Sequence, residues 1–511
     1  MARAPKNTRR ATRRGSCVWL AHPAPRRHDP VSPIHIIPSL PHQALATDFY
    51  QLTMMYAYHT AELDAEATFE LFVRRLPRNR RFLVAAGLEQ VLAYLRDLSF
   101  SGEDIDYLRS TPTFAAVREP ARLEEFFERL RAYRCSATIR AVPEGTIFFP
   151  NEPVIQVIGT LFESQLIETY MLSTFNYQTI VASKAARMRL VADDRTLIDF
   201  GFRRAHGPQA AMFAGRASYV GGFDGTSDVA LARLCGLPVI GTAAHSYTMA
   251  FQREEEAFAH YFDTYPESTT LLVDTYDAMR GIRRAAALGD GLKGIRLDSG
   301  DLVKQAKEGR AILDEAGLKD ARIVASDGLN EYKIAALLEQ GAPIDVFGVG
   351  TEMVTSRDDP TLAGVYKLVS MRREDGALIP TMKFSSSKAS YPGPKDLHRV
   401  TNARGEIVGG ALTQRGEEPV VDEGLTTTPL LVEVFRDGVP MDAEPLDAIR
   451  ARTLAGLKTL SEPMRRIGAR QDDEAPPRLW VSDQTEAQIE ACEERFRVEA
   501  NYSYTQSLEP E

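Results

Sequence analysis

The chain has 511 residues, of which 44% are hydrophobic, enough to build about three domains of ordinary size. Its formal net charge of −9 argues against nucleic acid as the main partner, because proteins that bind a phosphate backbone usually carry a basic excess. The four cysteines are scattered without a CxxC pair, which argues against a zinc cluster or a disulfide framework and favours a reducing, cytoplasmic compartment. No run approaches the roughly 18 consecutive apolar residues of a membrane-spanning helix, so no membrane partner is expected.

The first 42 residues differ from the rest of the chain. Eight arginines and lysines precede the first acid, Asp29, and a proline-rich run follows as far as Pro41. Such a composition cannot bury a core, so we predict that residues 1–42 form a disordered basic tail. Two alternatives stay open, namely an Arg-rich transit peptide and an upstream start codon.

Residues 43–160 have the pattern of a mixed α/β domain. The predicted elements are a helix over 44–59, a strand of period two within 67–77, helices over 85–98 and 123–134, and a pair of strands within 141–158. Asp48 is placed to cap the first helix, and the two strands are expected to turn at Asn151 and Glu152.

Residues 161–370 show a different pattern, in which short apolar runs precede polar loops. After a long helical stretch over 163–192, the runs are TLIDFGFRR from 196, PVIGTAAHS from 238, TLLVDTYD from 270, GIRLDSGD from 294, RIVASDGLN from 322 and DVFGVGTEM from 345. Helical patterns, such as 302–316 and 333–339, lie between them. Six βα units in succession predict a parallel sheet, and units this short favour a closed or nearly closed barrel, with functional groups at the carboxyl ends of the strands.

The segment 238–251, PVIGTAAHSYTMAF, is the centre of the functional prediction. Val239 and Ile240 indicate a strand that stops at Gly241 and Thr242, and His245 follows on a loop where Ser246 is placed to cap a helix. A histidine in this position is suited to chemistry, although most loop histidines have no role.

Acidic residues follow two of the other strands. Arg296, Asp298 and Asp301 lie in RLDSGD, and Asp274 and Asp277 lie in VDTYD. Carboxylates on such turns can hold ribose hydroxyls or Mg²⁺. The alternative is that these aspartates only satisfy the backbone of their own turns.

The remaining loops offer groups for phosphates and for a flat ring. SDGLN and FGVGTEM contain small residues whose backbone N–H groups can approach a phosphate, unless their glycines only serve the turns. FGFRRAHG supplies Phe200 for stacking, and Arg203 and Arg204 for a carboxylate or phosphate, unless that pair is simply solvated. The sequence lacks a GxxxxGK[ST] loop, a GxSxG elbow and an HExxH motif, so any use of ATP must differ from the P-loop mode.

Taken together and in this order, eight motifs resemble those of the nicotinate phosphoribosyltransferase family: TDFYQLTM, FRRAHGP, FDGTSDV, GTAAHS, VDTYD, RLDSGD, SDGLN and FGVGTEM. The resemblance runs from about residue 45 to about 370 and continues through 383–400. It implies a type II phosphoribosyltransferase fold, in which an irregular (β/α) barrel is joined to an N-terminal α/β sandwich to which C-terminal segments return. On this basis, residues 371–511 would complete the sandwich and add an extension.

The resemblance also implies an activity. The family converts nicotinate and phosphoribosyl pyrophosphate (PRPP) to nicotinate mononucleotide and pyrophosphate, the first step of NAD salvage from nicotinic acid. ATP is a co-substrate whose hydrolysis is coupled through a phosphohistidine, Mg²⁺ accompanies PRPP and ATP, and a homodimer shares its active sites between subunits.

The same resemblance implies individual roles. The ring of nicotinate would lie between Phe200 and Tyr50 of the partner subunit, with Arg296 and Thr242 beside the substrate. Asp298 would lie near the ribose, Asp274 near the ribose or the metal, and His245 would be the residue phosphorylated by ATP. The phosphate and pyrophosphate contacts would come from Arg203, Ser326, Asp327, Gly328, Gly350 and Thr351.

Ser227 in DGTSD bears on the choice of substrate. The related nicotinamide enzymes have an aspartate at this place, and a carboxylate there would repel the carboxylate of nicotinate, whereas a hydroxyl can donate to it. We therefore predict an acid rather than an amide substrate. The alternatives are a quinolinate or nicotinamide phosphoribosyltransferase and a non-catalytic relative.

The C-terminal region is less informative. We predict short strands and turns over 382–434, a helix over 446–460, a surface connection over 471–477, a helix over 484–498 and a loose tail. Lys383, Lys388 and Lys395 are expected either to reach the phosphate side of the site or, as the favoured alternative, to be solvated.

Overall fold

The structure is a computed structural model that describes residues 42–383, 390–441, 443–468 and 477–500, with side chains described as far as 495. The predicted basic tail lies outside these residues apart from His42, as do Lys388, the predicted C-terminal tail and nearly all of the predicted surface connection. Among the helices of the described ranges, none has the length and apolarity that crossing a bilayer requires. The predicted domain boundaries near residues 160 and 370 stay predictions.

The first part of the chain alternates short helices and strands. Its elements are α1 Phe49–Thr60, β1 Glu66–Val73, β2 Leu83–Val84, α2 Leu88–Asp97, α3 Gly102–Ser110, α4 Pro112–Ala115, α5 Pro120–Ala132, β3 Thr138–Ala141, β4 Ile147–Phe148, β5 Ile155–Thr160 and α6 Leu161–Leu166. The expected pair of strands within 141–158 is wrong in detail, because β4 leaves the pair and joins β2, while β3 and β5 run antiparallel. Asp48 precedes α1, but its carboxylate accepts a hydrogen bond from Thr169 instead of capping the helix.

The second part begins with a long helix and continues as βα units. Its elements are α7 Glu168–Ala192, β6 Thr196–Asp199, α8 Pro208–Val220, β7 Gly225–Thr226, α9 Val229–Cys235, α10 His245–Met249, α11 Glu254–Thr264, β8 Thr270–Leu272, α12 Ala278–Ala286, β9 Gly294–Leu297, α13 Leu302–Glu315, β10 Arg322–Ala325, α14 Glu331–Glu339, β11 Val346–Val349 and α15 Thr351–Val354.

The six strands of this part form one parallel sheet in the order β7-β6-β11-β10-β9-β8. Val239 adds a single parallel bridge to Thr226 at the β7 edge. With that segment included, each strand pairs with the strand before or after it in the chain, and the last strand, β11, pairs with the first, β6. This is the strand order of a (β/α) barrel. Within the described residues no pairing joins Val239 to β8, so the barrel is open there, and the prediction of an irregular barrel is confirmed.

The prediction of a strand at Val239 and Ile240 is wrong, because this segment forms a single bridge and no ladder. Pro238 has no N–H to donate to a ladder, and Val239 is 57% exposed at the open edge, so only one bridge forms. Conversely, β7 was not predicted, because its two residues, Gly225 and Thr226, are too few to give an apolar run.

The last part returns to the first. Its elements are β12 Gly364–Arg372, β13 Leu378–Pro380, β14 Lys395–Thr401, β15 Ile407–Gln414, β16 Thr426–Pro429, β17 Val432–Arg436, β18 Val439–Pro440, α16 Leu446–Lys458, α17 Glu462–Arg465, β19 Arg478–Val481 and α18 Asp483–Ala500.

A seven-stranded sheet joins the two ends of the chain in the order β13-β12-β1-β5-β3-β17-β18. Strands from before the barrel, β1, β5 and β3, occupy its middle, and strands from after the barrel flank them on both sides. β1 is buried at every residue but its first, so the expected alternation of exposed and buried residues is absent. The prediction that C-terminal segments return to the N-terminal domain is confirmed.

Candidate active site

The carboxyl ends of the parallel strands bring most of the predicted site residues to one edge of the barrel. Phe200 follows β6, Ser227 follows β7, Asp298 follows β9, Ser326 follows β10 and Gly350 follows β11. Because the strands are parallel, the loops that leave these ends converge, which is where α/β barrels bind their ligands.

Arg296 is the centre of the polar contacts at this edge. Its guanidinium donates to Ser326 Oγ at 2.7 Å, to Thr242 Oγ1 at 3.0 Å and to Asp298 Oδ1 at 2.6 Å. Its side chain is only 11% exposed, and its guanidinium carbon lies 5.4 Å from the centroid of the Phe200 ring. Groups that follow four different strand segments are thus held around one cation, which fixes the orientation of that cation.

The Phe200 ring lies where Gly348 has no side chain. The ring is half-buried and packs with Ile240 against Ile198, Val324 and Val346. A Cβ on Gly348 would lie 2.4 Å from two carbons of this ring. Only glycine at residue 348 therefore allows the ring to lie against β11 while its other side remains open to the site.

Two carboxylates lie beside Arg296. Asp274 Oδ2 accepts from the Asp298 amide at 2.9 Å and from Ser299 Oγ at 2.6 Å. Asp274 Oδ1 is buried and has no hydrogen-bond partner within the described part of the chain. Asp298 Oδ1 is used by Arg296 and Ser326, whereas its Oδ2 lies 3.6 Å from His245 Nε2. Each carboxylate therefore retains one oxygen for a ligand.

These two oxygens fit Mg²⁺ that arrives with a phosphate-bearing substrate. Mg²⁺ is typically bound by one or two carboxylates together with substrate phosphates and waters. An all-protein metal site is a poorer fit, because no group of three or more His, Cys, Asp or Glu side chains with metal-binding geometry occurs in the described ranges.

The other two predicted acids have structural roles. Asp277 accepts from the Arg280 amide at 2.7 Å and caps α12, and Asp301 accepts from the Lys304 amide at 3.0 Å and caps α13. Both side chains therefore accept hydrogen bonds from backbone amides of their own segments, which is the alternative to a ligand-binding role.

His245 is the first residue of α10, and 39% of its side chain is exposed. Its Nδ1 lies 3.1 Å from Thr275 Oγ1, which orients the ring so that Nε2 faces Asp298. The prediction that Ser246 caps this helix is wrong, because Ala244 occupies the N-cap position and Ser246 lies inside the helix.

The two loops predicted to bind phosphate differ in what they expose. Ser326 is buried and bonded to Asp298 and Arg296, while Asp327 and Gly328 are exposed. Gly328 has a φ of 51°, a conformation that favours glycine. Gly350 and Thr351 are half-buried at the start of α15.

Two residues at this edge were missed by sequence reasoning. Lys333 Nζ donates to the Asp327 carbonyl at 3.2 Å, and the signal for it was the Asn330 cap, which puts residue 333 in the first turn of α14. Asp199 accepts from the Gly201 amide at 2.7 Å and from Thr226 Oγ1 at 2.8 Å. Burial raises the pKa of Asp199 to about 6.

Other predicted residues stand apart from this cluster. Arg203 is exposed and has no polar partner in the part of the chain that the structure describes. Tyr50 is 47% exposed on α1, which packs against α5 and α6 instead of the barrel edge. Ser227 is half-buried beside the site, and its amide donates to the Asp199 carbonyl at 2.9 Å. Lys395 is neither solvated nor near the predicted phosphate loops, because it is buried and paired with Glu70 at 2.8 Å.

The fold and the candidate site define an α/β-barrel protein with a cluster of polar side chains at the carboxyl ends of the barrel strands, where such barrels bind their ligands. The model of the nicotinate phosphoribosyltransferase (NAPRTase) N-terminal domain matches residues 45–176, and the model of the NAPRTase family matches residues 196–377. The chain belongs to the nicotinate phosphoribosyltransferase family.

Individual relatives and solved structures are similar to this chain over most of its length. A nicotinate phosphoribosyltransferase of Mycobacterium tuberculosis is 42% identical over 415 residues, which cover 80% of this chain and 85% of the relative. The crystal structure of human nicotinic acid phosphoribosyltransferase superposes with a TM-score of 0.74 at 31% identity and covers 87% of this chain and 99% of the human chain. A nicotinate-nucleotide pyrophosphorylase from Pyrococcus furiosus has a TM-score of 0.66 at 25% identity and covers 81% and 95%.

Proposed function

We propose that this protein transfers the phosphoribosyl group of PRPP to nicotinate, forming nicotinate mononucleotide and pyrophosphate in the first step of NAD salvage from nicotinic acid. The observation that carries the proposal is the Arg296 cluster, in which a guanidinium is fixed 5.4 Å from the ring of Phe200 and hydrogen-bonded to Asp298. A flat anionic base can stack on such a ring and pair with such a cation. Membership of the family supplies the identity of the base.

The reaction needs little acid–base chemistry from the protein. The pyridine nitrogen of nicotinate has a free lone pair, so it attacks the ribose carbon without a catalytic base. The bond from that carbon to pyrophosphate breaks, and positive charge develops on the ribose while negative charge develops on the leaving group. Asp298 and Asp274 are suited to the first charge. Arg203, Ser326, Asp327, Gly328, Gly350 and Thr351 are assigned to the phosphate and pyrophosphate.

Mg²⁺ is part of this proposal as a companion of PRPP. The unpartnered Oδ1 of Asp274 and the available Oδ2 of Asp298 would hold it, and when bound it would neutralise charge on the pyrophosphate. The protein residues hold these two oxygens in place through the Asp298 amide, Ser299 and Arg296.

ATP enters the proposal through His245. The γ-phosphoryl group would move from ATP to an imidazole nitrogen with release of ADP, and water would later release phosphate. Support comes from the exposure of His245 and from its distance of 3.6 Å to Asp298, which places any added charge beside the ribose and metal ligands. Phosphorylation would thereby order the PRPP site.

A homodimer completes the proposal. Tyr50 is 47% exposed on α1, and no other aromatic ring contacts the Phe200 ring among the described residues. Tyr50 of the partner subunit would supply that ring.

The experiment is release of pyrophosphate from PRPP with nicotinate, nicotinamide or quinolinate in parallel, each with and without Mg·ATP. Turnover with nicotinate that ATP increases is the expected result. Turnover only with nicotinamide or quinolinate would move the assignment to another pyridine base, and the absence of release with all three would indicate a non-catalytic relative.

A further inference from the structure

Five buried charged side chains lie beneath the two loops assigned to phosphate. This buried charge cluster consists of Arg80, Lys184, Arg187, Glu331 and Asp358. The side chain of Asp358 is 16% exposed, and the other four are at most 2% exposed. None of these residues takes part in the contacts around Arg296, and the proposed reaction does not use them.

Lys184 connects the two acids of the cluster. Its Nζ lies 2.8 Å from Glu331 Oε2 and 2.8 Å from Asp358 Oδ1, and its side chain is 1% exposed. Glu331 is the first residue of α14 and directly follows the 326–330 loop. Asp358 lies four residues beyond α15, which directly follows Gly350. One ammonium group therefore ties together the segments that anchor both loops.

Other contacts attach both acids to fixed parts of the fold. Arg187, one turn after Lys184 on α7, donates to Glu331 Oε1 at 3.0 Å. Arg80 binds both carboxylate oxygens of Asp358, at 2.6 and 3.1 Å. Tyr177, also on α7, donates to the Val354 carbonyl at the end of α15 at 2.9 Å. Helix α7 thus serves as the common support for the two loops.

The energetics of the cluster favour a positioning role over a purely stabilising one. Burial alone would raise the pKa of Glu331, but Lys184 and Arg187 hold it below its ordinary value, so the carboxylate stays charged. Buried ion pairs are often no more stabilising than apolar side chains of the same volume, whereas they fix geometry strictly, because loss of one partner leaves an unpaired charge. An apolar contact between α7, α14 and the segment after α15 would hold the fold but would allow the loops to slide.

We propose that Lys184 is a positioning residue that sets the spacing between the 326–330 loop and the Gly350–Thr351 loop so that both reach the same phosphate group of PRPP. This inference rests on the function proposed above. Lys184 does not touch the substrate, and it acts through Glu331 and Asp358.

The test compares Lys184→Met with a matched variant, Lys395→Met. Lys395 is an equally buried lysine, 2.8 Å from Glu70, with both side chains 2% exposed, and it lies in the sheets outside the barrel. Both variants are assayed at the same interval below their own Tm. Lys184→Met is expected to raise the KM for PRPP roughly ten- to hundredfold with little change in the KM for nicotinate, because a small displacement of a binding loop is enough for such a loss. Lys395→Met should keep the wild-type ratio of the two constants.

Amide hydrogen exchange provides a readout that needs no turnover. Lys184→Met should increase exchange in peptides covering both 326–332 and 350–359, whereas Asp358→Asn should increase it mainly in 350–359. Lys395→Met should change neither. Asp358→Asn also serves if Lys184→Met does not fold, because Asp358 is the most exposed acid of the cluster.

The outcomes separate the two proposals. If the wild-type protein neither binds PRPP nor releases pyrophosphate, the proposed function fails, whatever the exchange data show. If the wild-type protein is active and Lys184→Met keeps its KM for PRPP, or loosens both loops no more than Lys395→Met does, Lys184 is only a structural residue and the inference is overturned.

Discussion

His245 Nδ1 and Thr275 Oγ1 lie 3.1 Å apart and connect the loop after the Val239 bridge to the loop after β8. These are the two segments between which the barrel is open. A side-chain hydrogen bond thus connects the barrel where backbone pairing is missing, and it leaves Nε2 of the same ring facing Asp298.

Replacing Thr275 by valine should release the His245 ring. We expect a fall of roughly fivefold in ATP hydrolysis and in the stimulation of transfer by ATP, while transfer without ATP persists, because a lost orienting hydrogen bond is worth about 1 kcal/mol. Thr275→Ser keeps the hydroxyl and should retain both activities. Unchanged ATP hydrolysis in Thr275→Val would contradict the orienting role of the hydroxyl, and an equal loss in Thr275→Ser would show that the hydroxyl alone does not hold the ring in place.

Replacing His245 by alanine should abolish ATP hydrolysis and leave slow transfer from PRPP to nicotinate. The expectation follows from the exposed imidazole and from the pyridine nitrogen, which needs no base. The measurement is ADP and nicotinate mononucleotide formation in the same reaction. ATP hydrolysis that survives the change would move the phosphorylated residue elsewhere.

Replacing Ser227 by aspartate should lower the preference for nicotinate over nicotinamide. Ser227 follows β7, and Phe200 follows the neighbouring strand β6, so a carboxylate at residue 227 would repel that of a nicotinate stacked on Phe200. Kcat/KM for both bases gives the preference, and Ser227→Asn controls for size without charge. Unchanged specificity in Ser227→Asp would remove the argument for acid selection at this residue.

The carboxyl of Asp199 should make stability depend on pH. Its pKa is about 6 when buried, against an ordinary value of 3.8, so the folded state holds the proton more tightly than the unfolded state. The free energy of unfolding should therefore fall by about 3 kcal/mol from this group as pH rises from about 4 to above 6.

Denaturant unfolding of the wild-type protein and of Asp199→Asn, repeated across this pH range, gives the difference between their free energies of unfolding at each pH. The wild-type protein should lose stability relative to the variant as pH rises. Thr226→Val removes a hydroxyl that lowers this pKa and should extend the loss to higher pH. The negative charge of Asp228 also raises the pKa of Asp199. If the free energies of unfolding of the wild-type protein and of Asp199→Asn change with pH in parallel, the raised pKa of Asp199 is contradicted.

Gly348→Ala should displace the Phe200 ring into the site, because the new methyl group would lie 2.4 Å from that ring. We expect a KM for nicotinate roughly tenfold higher and a lower Tm. In a Phe200→Leu background the smaller side chain should absorb most of the loss of Tm, and a full loss in that background would show that the clash is with another group.

The sequence was most informative where a strand is buried on both sides. β11 and the last three residues of β10 are continuous, buried and apolar, and β9 is interrupted only by Arg296, so the ends of these strands, and with them Asp298, Ser326 and Gly350, could be predicted from pattern alone. β7 could not, because two residues carry no periodicity.

Side-chain partners were harder to predict than positions. Asp277 and Asp298 look alike in sequence, and only the location of the neighbouring amides makes one a helix cap and the other a ligand of Arg296. Lys395 likewise resembled a surface lysine, because its partner Glu70 lies more than 300 residues away. Such contacts depend on tertiary structure that local patterns do not contain.

The order of strands in the seven-stranded sheet has a consequence for biosynthesis. β1 pairs with β12, and β3 pairs with β17, so β1 keeps an unpaired edge until the whole barrel and β12 have been translated, and β3 keeps one until β17 has been translated. Exposed strand edges are templates for aggregation, and pairings this distant in sequence form slowly. The seven-stranded sheet therefore cannot be completed before the barrel has been translated, and the open edge of β1 is a site for aggregation during that interval.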